Sequence, residues 1–106
     1  MDAYELEEIE QRRSAGGRLY EEFLSVGSMS AGLYVLGAGA TDPQSPHDQD
    51  EIYHVVSGRG RIRVAGEDRD VGPGSVVFVP AQVEHRFHSI DERLQLLVFF
   101  APAESS

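Results

Sequence analysis

The chain has 106 residues, a common size for one domain, and its 41% hydrophobic and 25% charged residues describe a globular chain, not a disordered one. Nine basic residues against 18 acidic ones give a net charge of −9. That charge repels phosphate backbones, and no Lys/Arg cluster with interleaved aromatics offsets it, which excludes nucleic acid as a partner. With no cysteine, disulfides and thiolate metal sites are excluded too, and His, Asp and Glu remain as the strong metal ligands.

No apolar run approaches the ~20 residues needed to span a bilayer. The opening "MDAYELEEIEQ" is acidic where a signal peptide is basic, so a soluble, cytoplasmic protein without membrane contact is expected. Residues 3 to 15 are rich in helix formers, with Asp2 as the expected N-cap, Leu6 and Ile9 as a narrow apolar stripe, and Gly16-Gly17 as the stop. This predicts a helix, or failing that an acidic tail, over residues 1–17, ahead of a β domain over 18–106.

From residue 18 the texture changes. "RLYEEFLSV", "MSAGLYVLGAG", "EIYHVVSG", "RGRIRVAG", "EDRDVG", "SVVFVP", "EHRFHSI" and "LQLLVFFAP" are short β-branched and aromatic runs, most of them bounded by Gly, Pro, Asp or Ser. About eight short strands at this spacing predict a β-sandwich or barrel. In "GRIRV" Ile62 and Val64 share one face and Arg61 and Arg63 the other, which puts the arginines in solvent. "SVVFV" and "LQLLVFF" are nearly continuously apolar, as strands covered on both faces would be.

Strand parity sorts the four histidines, His47, His54, His85 and His88. His85 and His88 point to opposite faces, as do Glu51 and His54; if Glu51 and His85 face inward, His54 and His88 lie on the outside. His47 and Glu51 share a parity, but four residues of straight strand span about 13 Å, too far for two groups on one ion. The chain must turn between them. A bend at "DQD" followed by a strand fits the β-branched "IYHVV" better than a helical turn capped by Ser45. Tyr53 and Phe87 share the parities of Glu51 and His85, and with Tyr34 they are candidates to line a cavity.

Two spaced motifs run through this region. Gly39, Ser45, His47, Glu51 and Gly58 match Gly, five residues, His-x-His, three or four residues, Glu, six residues, Gly; Gly74, Pro80, Gln82, His85 and Ser89 match Gly, five residues, Pro-x-Gly, two residues, His, three residues, Asn. The chain thereby resembles a small single-domain cupin. The resemblance implies an all-β fold, a single double-stranded β-helix (jelly-roll) barrel with a short N-terminal helix. It also implies one divalent transition metal, Zn, Fe, Mn or Ni, held by His47, Glu51 and His85, beside a small-molecule ligand or substrate.

Ser45, Gln82 and Ser89 depart from the family pattern. The last two stand at turn and strand-end positions, whereas Ser45 removes one of the family's three histidines, and a hydroxyl is a poor transition-metal ligand. Asp48, Gln49 and Asp50 are alternative ligands if the loop bends differently. The fold does not select a reaction, so no catalytic residue is assigned. The alternative to an enzyme is a non-catalytic binding module or sensor without a functional metal site. Small cupins often pair, so the resemblance further implies a homodimer, with "RLYEEFLSV" as the edge element.

Overall fold

The computed structural model describes residues 1–104. One helix, α1 (Leu6–Gly16), precedes six strands: β1 (Tyr20–Val26), β2 (Met29–Leu36), β3 (Asp50–Val64), β4 (Glu67–Val71), β5 (Val76–Val79) and β6 (His85–Ala101). All pairings are antiparallel, in the order β1-β2-β6-β3-β4, with β5 on the free edge of the first half of β3. This is the jelly-roll arrangement of a mostly β chain with one short helix. The hydrogen-bonded ladder does not close, however, and leaves β1 and β4 as edges.

The runs expected as eight strands form six because two pairs fuse. "EIYHVVSG" and "RGRIRV" become the single β3, and "EHRFHSI" and "LQLLVFF" become β6. Glycine between them reads as a turn in sequence but acts here as a bend. The β3–β6 register slips between Val55 and Arg61, and Gly58 sits in that stretch with φ +93°. A Cβ there would lie 2.1 Å from the Arg93 carbonyl oxygen. The bend therefore needs glycine twice over, for its dihedral and for the close passage of β6. Ser89 adopts φ +49° inside β6, where the register skips from His88 to Glu92, so it marks a bulge and not a strand end.

Tyr34, Leu36, Tyr53, Val55, Ile62, Phe87, Leu94, Leu96, Val98 and Phe100 form much of the main core, between the two halves of the folded sheet. At about 1.5–3 kcal/mol for each large apolar side chain fully buried, this cluster supplies most of the driving force. The opposite face of β2 presents Leu33 and Val35, which α1 covers by inserting Ile9, with Leu6 and Leu97 packed alongside. The helix starts later than expected: Glu5, not Asp2, is the N-cap, and it makes no side-chain capping bond. Gly17 closes it in the left-handed conformation, with its N–H donating to Ser14 O and that of Arg18 to Arg13 O. Glu10 pairs with Arg13 and with Arg93 of β6, tying the helix to the sheet.

One strand expectation fails. β5 was read as covered on both faces, yet Val76 and Phe78 are 66% and 56% exposed. Among the described residues nothing covers the outer side of this four-residue edge strand, and composition alone does not report what lies above a sheet. Arg61 and Arg63 do face solvent, where they pair with Asp70 and Asp68. Gly58→Ala is expected to lower the unfolding free energy by about 3 kcal/mol, from overpacking and backbone strain together, as read from urea denaturation.

Candidate metal centre

The site begins with the irregular segment 37–49 between β2 and β3, which has no ladder of its own and must be held by other bonds. Gly39 N–H donates to Ile90 O at one end. In the middle the Asp42 side chain is buried, 4% exposed. Its Oδ1 accepts the Tyr34 hydroxyl (2.5 Å) and the Gln44 N–H (3.3 Å); its Oδ2 accepts the Phe87 N–H (2.9 Å) and the Gln44 amide (2.8 Å). One carboxylate thus joins β2, β6 and the segment that leads to His47.

Beyond His47 the chain bends at residues 48 and 49 and enters β3 at Asp50, as expected from "DQD". The turn before β6 grips this bend: Gln82 N–H donates to His47 O (2.7 Å), Gln82 Nε2 to Asp48 Oδ1 (2.6 Å) and Ala81 N–H to Asp50 Oδ1 (2.8 Å). Gln82 holds φ +68°, a conformation that glycine adopts more cheaply, and its side chain compensates by making that contact. Asp48 and Asp50 are therefore occupied as loop anchors.

Through these contacts His47, Glu51 and His85 converge, with one ligand atom from each lying within 4.8 Å of the others. His85 Nδ1–H donates to Val83 O (2.9 Å), which leaves the lone pair of Nε2 facing Glu51 Oε1 (3.1 Å) and the Tyr53 hydroxyl (3.0 Å). His47 Nδ1 lies 3.1 Å from Glu104 Oε2 and its Nε2 3.2 Å from Gln44 Oε1; both oxygens accept, so the tautomer decides which of them takes the ring proton. Phe100 packs edge-on against the His47 ring, with centroids 4.9 Å apart.

A count of donors and acceptors tests whether a cation fits. Two imidazole Nε2 atoms, two Glu51 oxygens and Gln44 Oε1 face one small region. Glu51 is 1% exposed, and neither of its oxygens has a hydrogen-bond partner of good geometry among the described residues. The Tyr53 hydroxyl donates to Gln44 Oε1 (2.7 Å). A buried carboxylate without donors is costly, and a cation among the acceptors removes that cost. Burial lowers the His85 pKa, but the Glu51 carboxylate and the Val83 carbonyl raise it and prevail, so the site draws positive charge. Burial, and then the Glu51 charge, hold the Tyr53 phenol well above its usual range, so it stays a donor.

A cavity of about 160 Å³ adjoins this cluster. Tyr20, Tyr34 and Phe100 are on its wall, together with Gln44, His47 and Glu104. Tyr53 and Phe87 stand one layer deeper, fully buried and edge-on at 4.9 Å. His54 lies on the outer face of β3, half-buried, and His88 pairs with Asp68 at 2.7 Å on the surface. Asp42, Gln44, Glu104 and Tyr20 are additions that sequence parity did not reach, because three of them lie outside strands. The acidic residue in the Pro-flanked "TDPQSP" was the available signal.

Asp42→Asn, which is isosteric, reverses the polarity of one arm of this junction. It is expected to cost about 2–4 kcal/mol by thermal or urea unfolding, the worth of a few hydrogen bonds to a buried charge.

The sequence profile of the family described as "Cupin domain" matches residues 32–100. The chain is 53% identical over 105 residues to the uncharacterized protein SCO3923 of Streptomyces coelicolor, covering 99% of this chain and 100% of that one. Among solved structures it is similar to KdgF from Halomonas sp. (TM-score 0.71, 21% identity, 78% of this chain and 76% of that one). It is also similar to an RmlC-like cupin from Shewanella frigidimarina (TM-score 0.71, 22% identity, 79% and 75%). At these identities the structural likeness concerns the fold alone. The matched profile spans both motifs and every strand from β3 to β5, and on that ground the chain belongs to the cupin family.

Proposed function

We propose that this cupin holds one divalent transition metal with His47, Glu51 and His85 and receives a small organic molecule in the adjoining cavity. The single observation that carries the reading is the pair of buried Glu51 oxygens, which no hydrogen bond of good geometry satisfies among the described residues and beside which two imidazoles stand, as a cation would require. Two imidazoles and a carboxylate suit Zn²⁺, Fe²⁺, Mn²⁺ or Ni²⁺. When bound, such an ion supplies Lewis acidity toward a carbonyl and lowers the pKa of a water on it.

The residues around it set what enters. A cavity of about 160 Å³ has the volume of roughly five waters, so its ligand has only a few heavy atoms. The buried Tyr20 hydroxyl has no partner among the described residues, which makes it the group available to a ligand hydroxyl or carbonyl. Burial, with Glu104, Glu22 and Glu51 nearby, raises its pKa, so it meets the ligand as a neutral donor. Glu104 on the same wall disfavours an anionic ligand and admits a neutral one.

Elemental analysis of protein purified without an affinity tag is expected to give near-stoichiometric metal, lost in His85→Ala. If the wild-type chain takes up none of Zn²⁺, Fe²⁺, Mn²⁺ and Ni²⁺, the metal reading falls and the binding-module alternative replaces it.

We also infer a homodimer. Two copies of charge −9 repel, so an uncharged surface must join them, and Ile52, Val76 and Phe78 form an exposed apolar group on the outer face of β3 and β5. Sedimentation is expected to show a dimer at micromolar concentration that Phe78→Asp dissociates. A wild-type monomer under the same conditions overturns the assignment.

A further inference from the structure

We propose that Gln44 is a fourth protein ligand, its side-chain oxygen taking the place that Ser45 leaves vacant in the family's ligand set. This rests on the metal reading above and says which of the chain's own atoms complete the site.

Ser45 is exposed. The residue before it points inward, and its amide has only one workable orientation. Gln44 Nε2 lies 2.8 Å from Asp42 Oδ2, and a carboxylate accepts only, so the NH₂ group must face Asp42. The carbonyl oxygen is thereby turned toward His47 and Tyr53. One of its lone pairs accepts the Tyr53 hydroxyl at 2.7 Å, and the other faces His47 Nε2 at 3.2 Å.

When His47 binds a metal through Nε2 its ring proton is on Nδ1, toward Glu104, and the second contact then joins two acceptors. Two lone pairs at this distance repel unless positive charge lies beside both. The spacing is also informative. Adjacent donors on one ion with bonds of about 2.1 Å stand about 3.0–3.4 Å apart. The Gln44 oxygen and His47 Nε2, at 3.2 Å, fall in that range, as do Glu51 Oε1 and His85 Nε2, at 3.1 Å. Tyr53 bridges the two pairs, its hydroxyl 3.0 Å from His85 Nε2. Asp42 acts here as a positioning residue, since it reaches the centre only through the Gln44 amide.

An amide oxygen is a harder donor than the imidazole it replaces, and like it carries no charge. It shifts preference toward metals that accept oxygen and leaves the net charge of the ligand set unchanged.

The test is Co²⁺ titration of the full chain, following affinity and the visible ligand-field spectrum, for wild type, Gln44→Met, Gln44→Glu and His85→Ala. Gln44→Met keeps the length of the side chain and removes the oxygen. It is expected to bind Co²⁺ about 10- to 100-fold more weakly, with a changed spectrum. Gln44→Glu keeps an oxygen at the position but loses the bond to Asp42, so it is expected to retain Co²⁺ binding with the wild-type band pattern. If wild type binds and Gln44→Met matches it in affinity and spectrum, the assignment of Gln44 is overturned while the three-residue site stands. If Gln44→Met does not fold by circular dichroism, Gln44→Glu decides: a ligand-field spectrum different from that of wild type overturns the assignment. If wild type itself binds no metal, this inference falls together with the reading beneath it.

Discussion

The buried carboxylate of Asp42 is the interaction on which the rest of the site depends. The segment between β2 and β3 is 13 residues long and has no sheet partner, so it stays in place only where buried groups hold it. Asp42 accepts from Tyr34 on β2, from the backbone of Phe87 on β6 and from Gln44 within the segment itself. Each of these bonds is charge-assisted and shielded from water, which makes it stronger than its exposed counterpart. His47 would otherwise sit on a free loop. With Asp42 at one end and the Gln82 contacts at the other, its backbone is fixed to both β-motifs.

A second constraint is the imbalance of acceptors around Glu51. Natural interiors pair nearly all their buried polar atoms, and where pairing fails the cause is usually functional. Here the unpaired oxygens belong to a residue that burial leaves inaccessible to bulk water. Asp42 and Glu51 are both buried carboxylates, yet they do opposite work. The first is saturated with donors and holds the structure together, while the oxygens of the second have no hydrogen-bond partner among the described residues. The hydroxyl of Tyr53 lies between these environments, and Phe87 and His85 fix its ring.

The open edges of the sheet are the third consequence of the topology. β3 carries β5 along its first half and β4 along its second, so neither short strand has a neighbour on its far side. β4 answers with charge, through Asp68 and Asp70 paired to arginines, as edge strands commonly do. β5 instead presents apolar side chains, with Val76 and Phe78 exposed.

The sequence by itself determined the fold class, the acidic surface without a basic patch, and the parity that opposes Glu51 to His54 and His85 to His88. Periodicity in a strand is local: residues two apart share a face whatever the strand later packs against. The two spaced motifs carried the cupin resemblance for the same reason, as each is a turn-and-strand pattern contained in a few residues. Tertiary structure decided the remainder. It fused the strands flanking Gly58, because whether a glycine turns or bends depends on how closely β6 passes. It showed β5 open to solvent, since composition does not say what lies above a sheet. It also brought Asp42, Gln44 and Glu104 to the site, and these residues sit in segments with no period to read. Their positions follow from hydrogen bonds to partners up to 74 residues away, as between the Glu104 backbone and Ser30, contacts that only the folded chain makes.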